Sequence, residues 1–433
     1  MAWDFSTEPE FQEKLDWMAE FVKTEVEPLD LAFSSHLVYD KSHPVHEKAV
    51  RPLQDEVKER DLWACHLGPD LGGKGYGQLK LGLMNEILGR SQWAPSVFGC
   101  QAPDSGNAEI IAHYGTDEQK ERYLQPLLDG RISSCYSMTE PQAGADPQQF
   151  KCRAERDGDE WVISGEKWFS SNMRYASFAI VMAVTDPDVS VYQGTSMFLV
   201  PTDTPGLDIV RNVGLGGEPE GEGSHAYVRY ENCRVPPENL LGGEGQAFVI
   251  AQTRLGGGRI HHAMRSIGMA QRAFDMMCER VLSRTTQGEL LAKKQMVQDA
   301  IADSWIQILQ FKLQVLHAAW TIDNSDGHKA RTEIAGVKVA TPKVLHDVVY
   351  RAMHAHGAIG VSNELPLAGM WMAAPIMGIA DGPTEVHKVT IARQVLKGYE
   401  PADGLWPSAH LPERRAEARE KFAHLLDLEV GNL

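Results

Sequence analysis

From Phe11 to about Gly130 the apolar residues follow the spacing of amphipathic helices. In the segment FQEKLDWMAEFVKTEV, one helical stripe collects Leu15, Met18, Phe21 and Val22. The segment YGTDEQKERYLQPLLDG opens with Thr116, a typical helix N-cap, and closes on Gly130, a typical C-terminal residue. We therefore predict several amphipathic helices in this part of the chain.

At about Arg131 the period changes to that of strands. Short segments rich in Val, Ile, Phe and Tyr follow one another: WVISGEKWFSS, FAIVMAV, TSMFLVP and HAYVRYENCRVP. Turn pairs such as Asp157-Gly158 and Asp186-Pro187 separate them. The glycine-rich stretch 214–224 has the composition of a flexible loop. The pattern predicts a β-domain in the middle of the chain.

From about Ala247 the helical period returns and continues. A long buried stripe is predicted for one helix, with members Trp305, Ile308, Leu309, Leu313, Leu316 and Trp320. A second helix is predicted over 333–356, with Pro342 as a kink. After Tyr399 we expect a loop and then a charged helix. The order is thus helices, a small β-domain, and helices again.

The balance of charge narrows the possible partners. The 433 residues include 42 Lys and Arg against 59 Asp and Glu, which gives a formal charge of −17. An acidic surface repels phosphate backbones, so nucleic acid is a poor partner. No apolar stretch approaches the ~18 residues of a membrane helix. The N-terminal segment MAWDFSTEPEF is acidic, unlike a leader peptide. We expect a cytoplasmic protein without a membrane span.

Five segments together resemble one known family. YSMTEPQAGAD at 136–146 is similar to a motif of the acyl-CoA dehydrogenases. Four more segments resemble parts of that family in the same order: YGTDEQKERYLQPLLDG, GEKWFSS, RVPPENLLGGEGQAF and DGPTEVHKVTIAR. The match covers nearly the whole chain. The DGP turn and RLGGGRIHHAMRSIG resemble the branch whose base is an Asp, which includes domains fused to other modules.

The resemblance implies a fold, a cofactor and a reaction. The fold is α+β, with an N-terminal helical domain (1–132), a central small β-barrel-like domain (133–243), a C-terminal four-helix-bundle domain (244–400) and a C-terminal extension (401–433). The cofactor is FAD, the substrate an acyl-CoA thioester, and the expected electron acceptor an electron-transfer flavoprotein. A carboxylate removes the α-proton while flavin N5 accepts the β-hydrogen as hydride. This chemistry belongs to fatty-acid β-oxidation.

The resemblance assigns the base to Asp381. Without it, an Asp before Gly382-Pro383 and a helix is typical of a turn or an N-cap. The preceding residues are mostly apolar, and desolvation makes a carboxylate a stronger proton acceptor. These neighbours are Pro375, Ile376, Met377, Ile379 and Ala380. A second family arrangement places the base before an arginine near 259, but Gly258 occupies that position here.

The family's flavin contacts fall on two segments of the chain. By resemblance, Met138 and Thr139 bind the flavin pyrimidine, Trp168 flanks the isoalloxazine, and Ser170 places its hydroxyl near N5. The full set of predicted flavin contacts near the site is Tyr136, Met138, Thr139, Trp168, Ser170, Pro383, Thr384 and Glu385. Packing within the β-domain is the alternative explanation for the strand residues.

Two further residues indicate an oligomer. Arg284 and Gln295 resemble an Arg and a Gln that reach the flavin pyrophosphate of a neighbouring subunit, so we expect a homodimer or homotetramer. An exposed helical Arg is the ordinary alternative. The resemblance assigns substrate contacts to Ala145, Arg259 and Gly382. Ala145 stands where a Ser is common, which removes one hydroxyl from that region.

Alternative functions stay open at this point. One is an oxygen-using flavin oxidase or monooxygenase of the same superfamily, since some of those enzymes also use an Asp base. Another is a non-catalytic flavin- or CoA-binding scaffold. A metal site is not expected, because the pairs His261-His262 and His354/His356 do not put both rings on one helical face. The six cysteines lack metal-ligand spacing, so we expect free buried thiols.

Overall fold

The structure is a computed structural model that describes residues 6–71, 73–325 and 330–425. The predicted acidic N-terminal segment therefore lies partly outside the described residues. In the N-terminal part the helices are α1 (Pro9–Phe21), α2 (Glu27–Ala32), α3 (Arg51–Glu59), α4 (Gly77–Leu88), α5 (Ala94–Val97), α6 (Asp104–Tyr114), α7 (Asp117–Gln119) and α8 (Gln125–Leu128). Shorter helical turns lie at Val22–Val26, Ser35–Val38, His46–Val50, Pro69–Leu71 and Lys120–Leu124.

The stripe predicted for the first helix is confirmed. Leu15, Met18, Phe21 and Val22 are all buried in one core that also includes residues of α4 and of the C-terminal helices. The predicted cap is confirmed as well. Thr116 Oγ1 accepts from the backbone N–H of Gln119, whose side chain accepts from the backbone N–H of Thr116. Two donors at the helix start are thereby satisfied.

The middle of the chain forms the predicted β-domain. Its strands are β1 (Ser134–Ser137), β2 (Arg153–Asp157), β3 (Glu160–Ser171), β4 (Phe178–Val184), β5 (Thr195–Pro201), β6 (Leu207–Val213), β7 (His225–Val235) and β8 (Leu240–Leu241). The strand order is β6-β7-β3-β1-β4-β5-β8. Strand β2 pairs with β3 and also meets β4 at Arg153 and Val184, which closes that part of the sheet on itself. The barrel-like character expected of this domain is therefore present.

The remaining elements are mostly long helices. They are α9 (Ala247–Ser283), a small hairpin of β9 (Thr285–Thr286) and β10 (Glu289–Leu290), α10 (Gln295–Asn324), α11 (Arg331–His356), α12 (Leu367–Ile379), α13 (Thr384–Leu396) and α14 (Leu411–Lys421). Helices α9, α10, α11 and α12 pack against one another as a bundle. α9 also contacts α4, α6 and β5. It therefore joins the bundle to both other parts of the fold.

Residues from Val389 onward form a compact unit of their own. Its described part contains α14, the charged helix predicted after Tyr399. No residue of α14 is buried within the chain.

The stripe predicted for α10 was wrong in part. Ile308 and Leu316 are buried, but Trp305 is 57% exposed, Leu309 40% and Leu313 38%. The buried face of this helix instead includes Phe311 and Val315. At about 100° per residue, two neighbouring apolar stripes fall side by side on α10, and packing against α9 and α11 covers one of them.

Five of the six cysteines are buried and all six are free thiols, as expected. Among the described residues no helix is long and apolar enough to cross a membrane.

Candidate active site

Asp381 lies in the turn between α12 and α13. Its φ is +55° and that of Gly382 is +100°. Asp tolerates the left-handed region better than most residues, and Gly occupies it without strain. Arg259 Nε donates to the carbonyl oxygen of Asp381 at 3.0 Å. The His387 ring nitrogen Nε2 lies 3.3 Å from the same oxygen. The turn is therefore held by two helices, α9 and α13.

The carboxylate of Asp381 faces α9. Its Oδ2 lies 3.7 Å from His262 Nε2, and its side chain is 20% exposed. A Cβ added at Gly258 would lie 3.3 Å from the same oxygen, so the glycine leaves room for the carboxylate. We expected the upstream residues of α12 to desolvate Asp381, but Ile379 is 71% exposed. The neighbouring helix α9 covers the Oδ2 side of the carboxylate, through His262 and Gly258.

A cavity opens beside the Asp381 carboxylate. Besides Asp381, its lining residues are His66, Ala102, Ser105, Gly106, Glu109, Arg254, Gly258, His261, His262 and Arg265. These residues come from the loops before α4 and α6, from α6, and from one face of α9. Eight of the eleven lining residues have polar or charged side chains.

Burial decides the charge of several groups in this cavity. Desolvation raises the pKa of Glu109 to about 7, so that it holds a proton part of the time at neutral pH. Desolvation also lowers the pKa of His66 and of His262 to about 4, so both imidazoles are neutral there. Burial lowers the pKa of Arg259, although Asp381 opposes that shift.

Sequence reasoning missed several of these residues. Glu109 and His66 lie in two distant segments that carry no local motif for catalysis, and Arg254 begins RLGGGRIHHAMRSIG but was not singled out within it. The pair His261-His262 was noticed only as a possible metal site. Both rings line the cavity, but His261 Nε2 lies 3.2 Å from Gln78 Oε1 while His262 faces Asp381. Within the described residues no group of three or more His, Cys, Asp or Glu could hold a metal.

The segment Met138–Thr139 lies beside Trp168. The backbone N–H of Trp168 donates to Thr139 O at 2.8 Å. Lys167 Nζ donates to Met138 O at 2.8 Å and to Glu140 Oε1 at 2.9 Å. The Lys167 and Glu140 side chains are 0% and 1% exposed. A buried ion pair therefore anchors the backbone that the resemblance assigns to the flavin pyrimidine.

An aromatic surface continues from Trp168. Its ring centroid lies 5.2 Å from that of Phe169 and 5.6 Å from that of Tyr227. The Arg211 guanidinium lies 5.3 Å from the Trp168 centroid. Phe169 is 39% exposed in spite of its size. Partly exposed aromatic rings beside backbone N–H and C=O groups have the chemistry that a planar, hydrogen-bonding ring system requires. The residues present therefore fit a flavin.

Tyr136 connects this surface to the cavity. The Arg254 guanidinium, which lines the cavity, lies 3.9 Å from the Tyr136 ring centroid. Burial raises the pKa of Tyr136 to about 12. The strand that leads to Met138 is thereby packed against the helix that faces Asp381. One region of the molecule thus contains both the expected flavin bed and the expected base.

Ser170 does not take the expected orientation. Its side chain is fully buried, and its hydroxyl lies 2.9 Å from Ser137 Oγ, which also accepts from Tyr230 at 3.0 Å. The hydroxyl therefore points into the sheet interior, and the pairing of β3 with β7 is irregular between Lys167 and Ser170, where Phe169 has a φ of +52°. The geometry gives no support to a hydroxyl near N5.

The turn after Asp381 leads into α13. Gly382 packs near His387, and a Cβ there would lie 3.1 Å from its Nε2. Thr384 Oγ1 donates to Gly378 O at 3.2 Å. Glu385 is exposed in the first turn of the helix, and Pro383 is half-buried. These residues are close to Asp381, as the sequence order requires.

Three predicted residues lie on the surface, outside this region. Arg284 directly follows α9 and Gln295 begins α10, and both are exposed. Arg284 is 25 residues beyond Arg259, which corresponds to roughly 37 Å along a helix. It therefore cannot reach the cavity of its own chain. Ala145 is exposed in the loop after β1.

Comparison with known proteins gives one family over the length of the chain. The acyl-CoA dehydrogenase N-terminal domain matches residues 8–131, the middle domain residues 135–232 and the C-terminal domain residues 245–396. The chain belongs to the acyl-CoA dehydrogenase family. It is therefore an oxidoreductase of that family, with FAD as its cofactor.

Three similar proteins illustrate the relationship. Probable acyl-CoA dehydrogenase FadE2 of Mycobacterium tuberculosis is 43% identical over 80% of this chain and 85% of its own length. Acyl-CoA dehydrogenase family member 11 of Gallus gallus is 41% identical over 88% of this chain but only 50% of its own length. The chain thus spans about half of that longer relative.

The third is a solved structure from Mycobacterium abscessus that is described as an acyl-CoA dehydrogenase. It is 37% identical, with a TM-score of 0.84, and covers 92% of this chain and 100% of its own. The acyl-CoA dehydrogenase family and its expected fold are thereby confirmed. The individual site residues stay predictions.

Proposed function

We propose that this acyl-CoA dehydrogenase desaturates an acyl-CoA thioester between its α and β carbons, with Asp381 as the base. The observation that carries the proposal is the position of the Asp381 carboxylate at the cavity lined by α6 and α9. When bound, FAD accepts the β-hydrogen as hydride. The protein must then supply a base, a bed for the flavin and protection from water.

Each of these tasks has residues in the structure that suit it. The Asp381 carboxylate would take the α-proton from a thioester placed in the cavity. Arg259, which donates to the Asp381 carbonyl, would hold the turn in place. Trp168, with the backbone of Met138 and Thr139, would bind and orient the flavin ring. Tyr136 and Arg254 would keep the two regions together.

The wider setting follows the family. We infer that the reaction serves fatty-acid β-oxidation and that an electron-transfer flavoprotein accepts the electrons. Because Arg284 lies too far along α9 to reach the cavity of its own chain, a flavin contact for Arg284 and Gln295 requires a second subunit. A homodimer or a larger homo-oligomer would satisfy that requirement.

Anaerobic bleaching of the flavin tests the proposed activity. The purified protein is expected to be yellow and to bleach with at least one member of a panel of short, long, branched and aromatic acyl-CoA thioesters. Asp381→Asn should retain FAD but bleach at least ~100-fold more slowly, since it removes the base. Glu400→Gln, a change at an exposed carboxylate that is not among the predicted flavin contacts, is the control for the loss of charge alone.

Three results would contradict the proposal. An Asp381→Asn variant that bleaches at the wild-type rate would remove Asp381 from the chemistry. Rapid peroxide formation with acyl-CoA in air would instead favour an oxidase. A colourless protein that does not take up FAD would favour a non-catalytic scaffold.

A further inference from the structure

We propose that His262 is a positioning residue for Asp381 and that Arg265 determines which ring nitrogen of His262 carries the proton. The inference rests on the proposed function, in which Asp381 is the base. It adds two residues of α9 that lie within RLGGGRIHHAMRSIG and to which the resemblance assigns no role toward the base.

The three side chains form a line along the cavity wall. Arg265 Nη2 lies 3.5 Å from His262 Nδ1, and His262 Nε2 lies 3.7 Å from Asp381 Oδ2. His262 and Arg265 are three residues apart on α9, so they lie on the same side of the helix. All three line the same cavity.

Arg265 is itself held in place from behind. Its Nη1 donates to Asn85 Oδ1 and to the Cys100 carbonyl, each at 3.4 Å. Asn85 lies on α4, and Cys100 lies in the segment that precedes α6. The guanidinium is thus tied to two elements outside α9. These contacts fix the position of Arg265 relative to His262.

The chemistry of these groups decides the tautomer. A guanidinium has only donors, so His262 Nδ1 must accept from Arg265. Burial, followed by the charge of Arg265, lowers the pKa of His262 to about 4, and the ring is therefore neutral at pH 7. A neutral ring that accepts at Nδ1 carries its proton on Nε2. That N–H faces the Asp381 carboxylate.

A donor in this position would orient the base. The present separation of 3.7 Å is longer than a hydrogen bond, but such contacts tighten when substrate binds. Once Oδ2 is held by His262 and seated against Gly258, the second oxygen, Oδ1, is the one left to take the α-proton. His262 is a poor final proton acceptor itself, because its neutral form is strongly preferred.

Other charged or titratable groups also face Asp381 and His262. They are Arg254 and Arg259 on α9, Lys338 on α11, His387 at the start of α13, and Tyr136 on β1. Arg259 and Lys338, whose charges interact with Asp381, are unchanged in every variant below. A difference in pH dependence between the variants at position 262 therefore reports on the side chain at that position.

The first test compares two replacements of His262 by the pH profile of flavin bleaching. His262→Phe keeps an aromatic ring at this position but removes both ring nitrogens. We expect the acid limb of its profile to move up by about one pH unit, which lowers the rate roughly tenfold on that limb, because the carboxylate loses a donor to its charged form. His262→Gln, whose amide can reach the Nε2 position, should restore at least half of that shift.

The matched control is His113→Phe, a change at an exposed histidine of α6. Its profile should superimpose on that of the wild type. A His262→Phe profile that also superimposes on the wild type would overturn the proposal. So would a His262→Gln variant with the same shift as His262→Phe, since that result would point to packing rather than to the donor.

The second test needs no substrate. In the FAD-loaded protein labelled with ¹⁵N-histidine, the His262 ring is identified by the signals that His262→Gln removes. Two-bond ¹H–¹⁵N correlations should show the proton on Nε2 between pH 6 and 8. In Arg265→Met, a substantial fraction of the Nδ1-protonated form should appear. A proton on Nδ1 in the wild type would refute the proposal.

The two tests separate this inference from the proposed function. If no acyl-CoA bleaches the wild type, the proposed activity fails, while the NMR measurement still decides the tautomer. If the wild type bleaches and Asp381→Asn does not, but His262→Phe has a wild-type profile, only the role of His262 fails.

Discussion

The buried Lys167–Glu140 pair allows a sharp test of how the flavin bed is held. In Lys167→Met the carboxylate of Glu140, which is 1% exposed, loses the cationic partner that lies 2.9 Å away. Removing one member of a buried ion pair lowers the free energy of unfolding by about 3–5 kcal/mol, because the other charge is left uncompensated. Glu140 keeps the backbone N–H groups of Lys151 at 2.6 Å and Cys152 at 3.0 Å. These donors offset part of the loss, so we expect a cost near the lower end, about 3 kcal/mol.

Urea unfolding of the FAD-loaded protein measures this cost. The variant should also release FAD at lower urea than the wild type, because Lys167 Nζ no longer holds the Met138 carbonyl. Lys151→Met is the matched control: its side chain is exposed, and its effect should stay within about 0.5 kcal/mol. Adding Glu140→Gln to Lys167→Met should recover part of the loss, since the uncompensated charge is removed.

The reasoning would be refuted by a Lys167→Met variant that unfolds within 1 kcal/mol of the Lys151→Met control. It would also be refuted if the double variant lost more unfolding free energy than the two single variants lose together. Either result would mean that the pair contributes little beyond its packing.

Two further predictions concern pH and helix capping. Burial raises the pKa of Glu109 from 4.5 to about 7, so between these values the folded protein binds more protons than the unfolded chain, and its stability falls as pH rises. The full effect is about 3 kcal/mol, and Glu109→Gln should lack it. Between pH 5 and pH 8 the urea midpoint of the wild type should therefore fall relative to that of Glu109→Gln. Equal changes of the midpoint in both proteins would contradict the raised pKa. Thr116→Ala removes the acceptor for the Gln119 N–H and should cost about 1 kcal/mol in urea unfolding, whereas Thr285→Ala, an exposed change in the β9–β10 hairpin, should cost almost nothing. Equal midpoints for the two threonine variants would show that the cap contributes nothing.

Local pattern determined much of the fold before any packing was known. The stripe of Leu15, Met18 and Phe21 depends only on helical spacing, and the Thr116 cap only on residues three apart. The strands of the β-domain follow from runs of β-branched and aromatic residues between turn pairs. Such signals act between near neighbours in the chain, so they are visible in the sequence.

The position of Asp381 was also accessible from the sequence, through the motif that it shares with a family. The residues around it were not. Glu109, Arg254 and His66 reach the cavity only because α6 and the loop before α4 pack against α9. No local motif marks Glu109 or His66, and the motif that begins at Arg254 does not distinguish that residue as part of a cavity.

The sequence by itself therefore determined the order of helices and strands, the capped helix at Thr116 and the turn that carries Asp381. Only the tertiary structure decided which of two apolar stripes on α10 is buried, that the Ser170 hydroxyl points into the sheet, and that His262 faces the base. The physical reason is range. Periodicity reports which residues share a face, whereas burial, pKa shifts and side-chain partners depend on which distant element packs against that face.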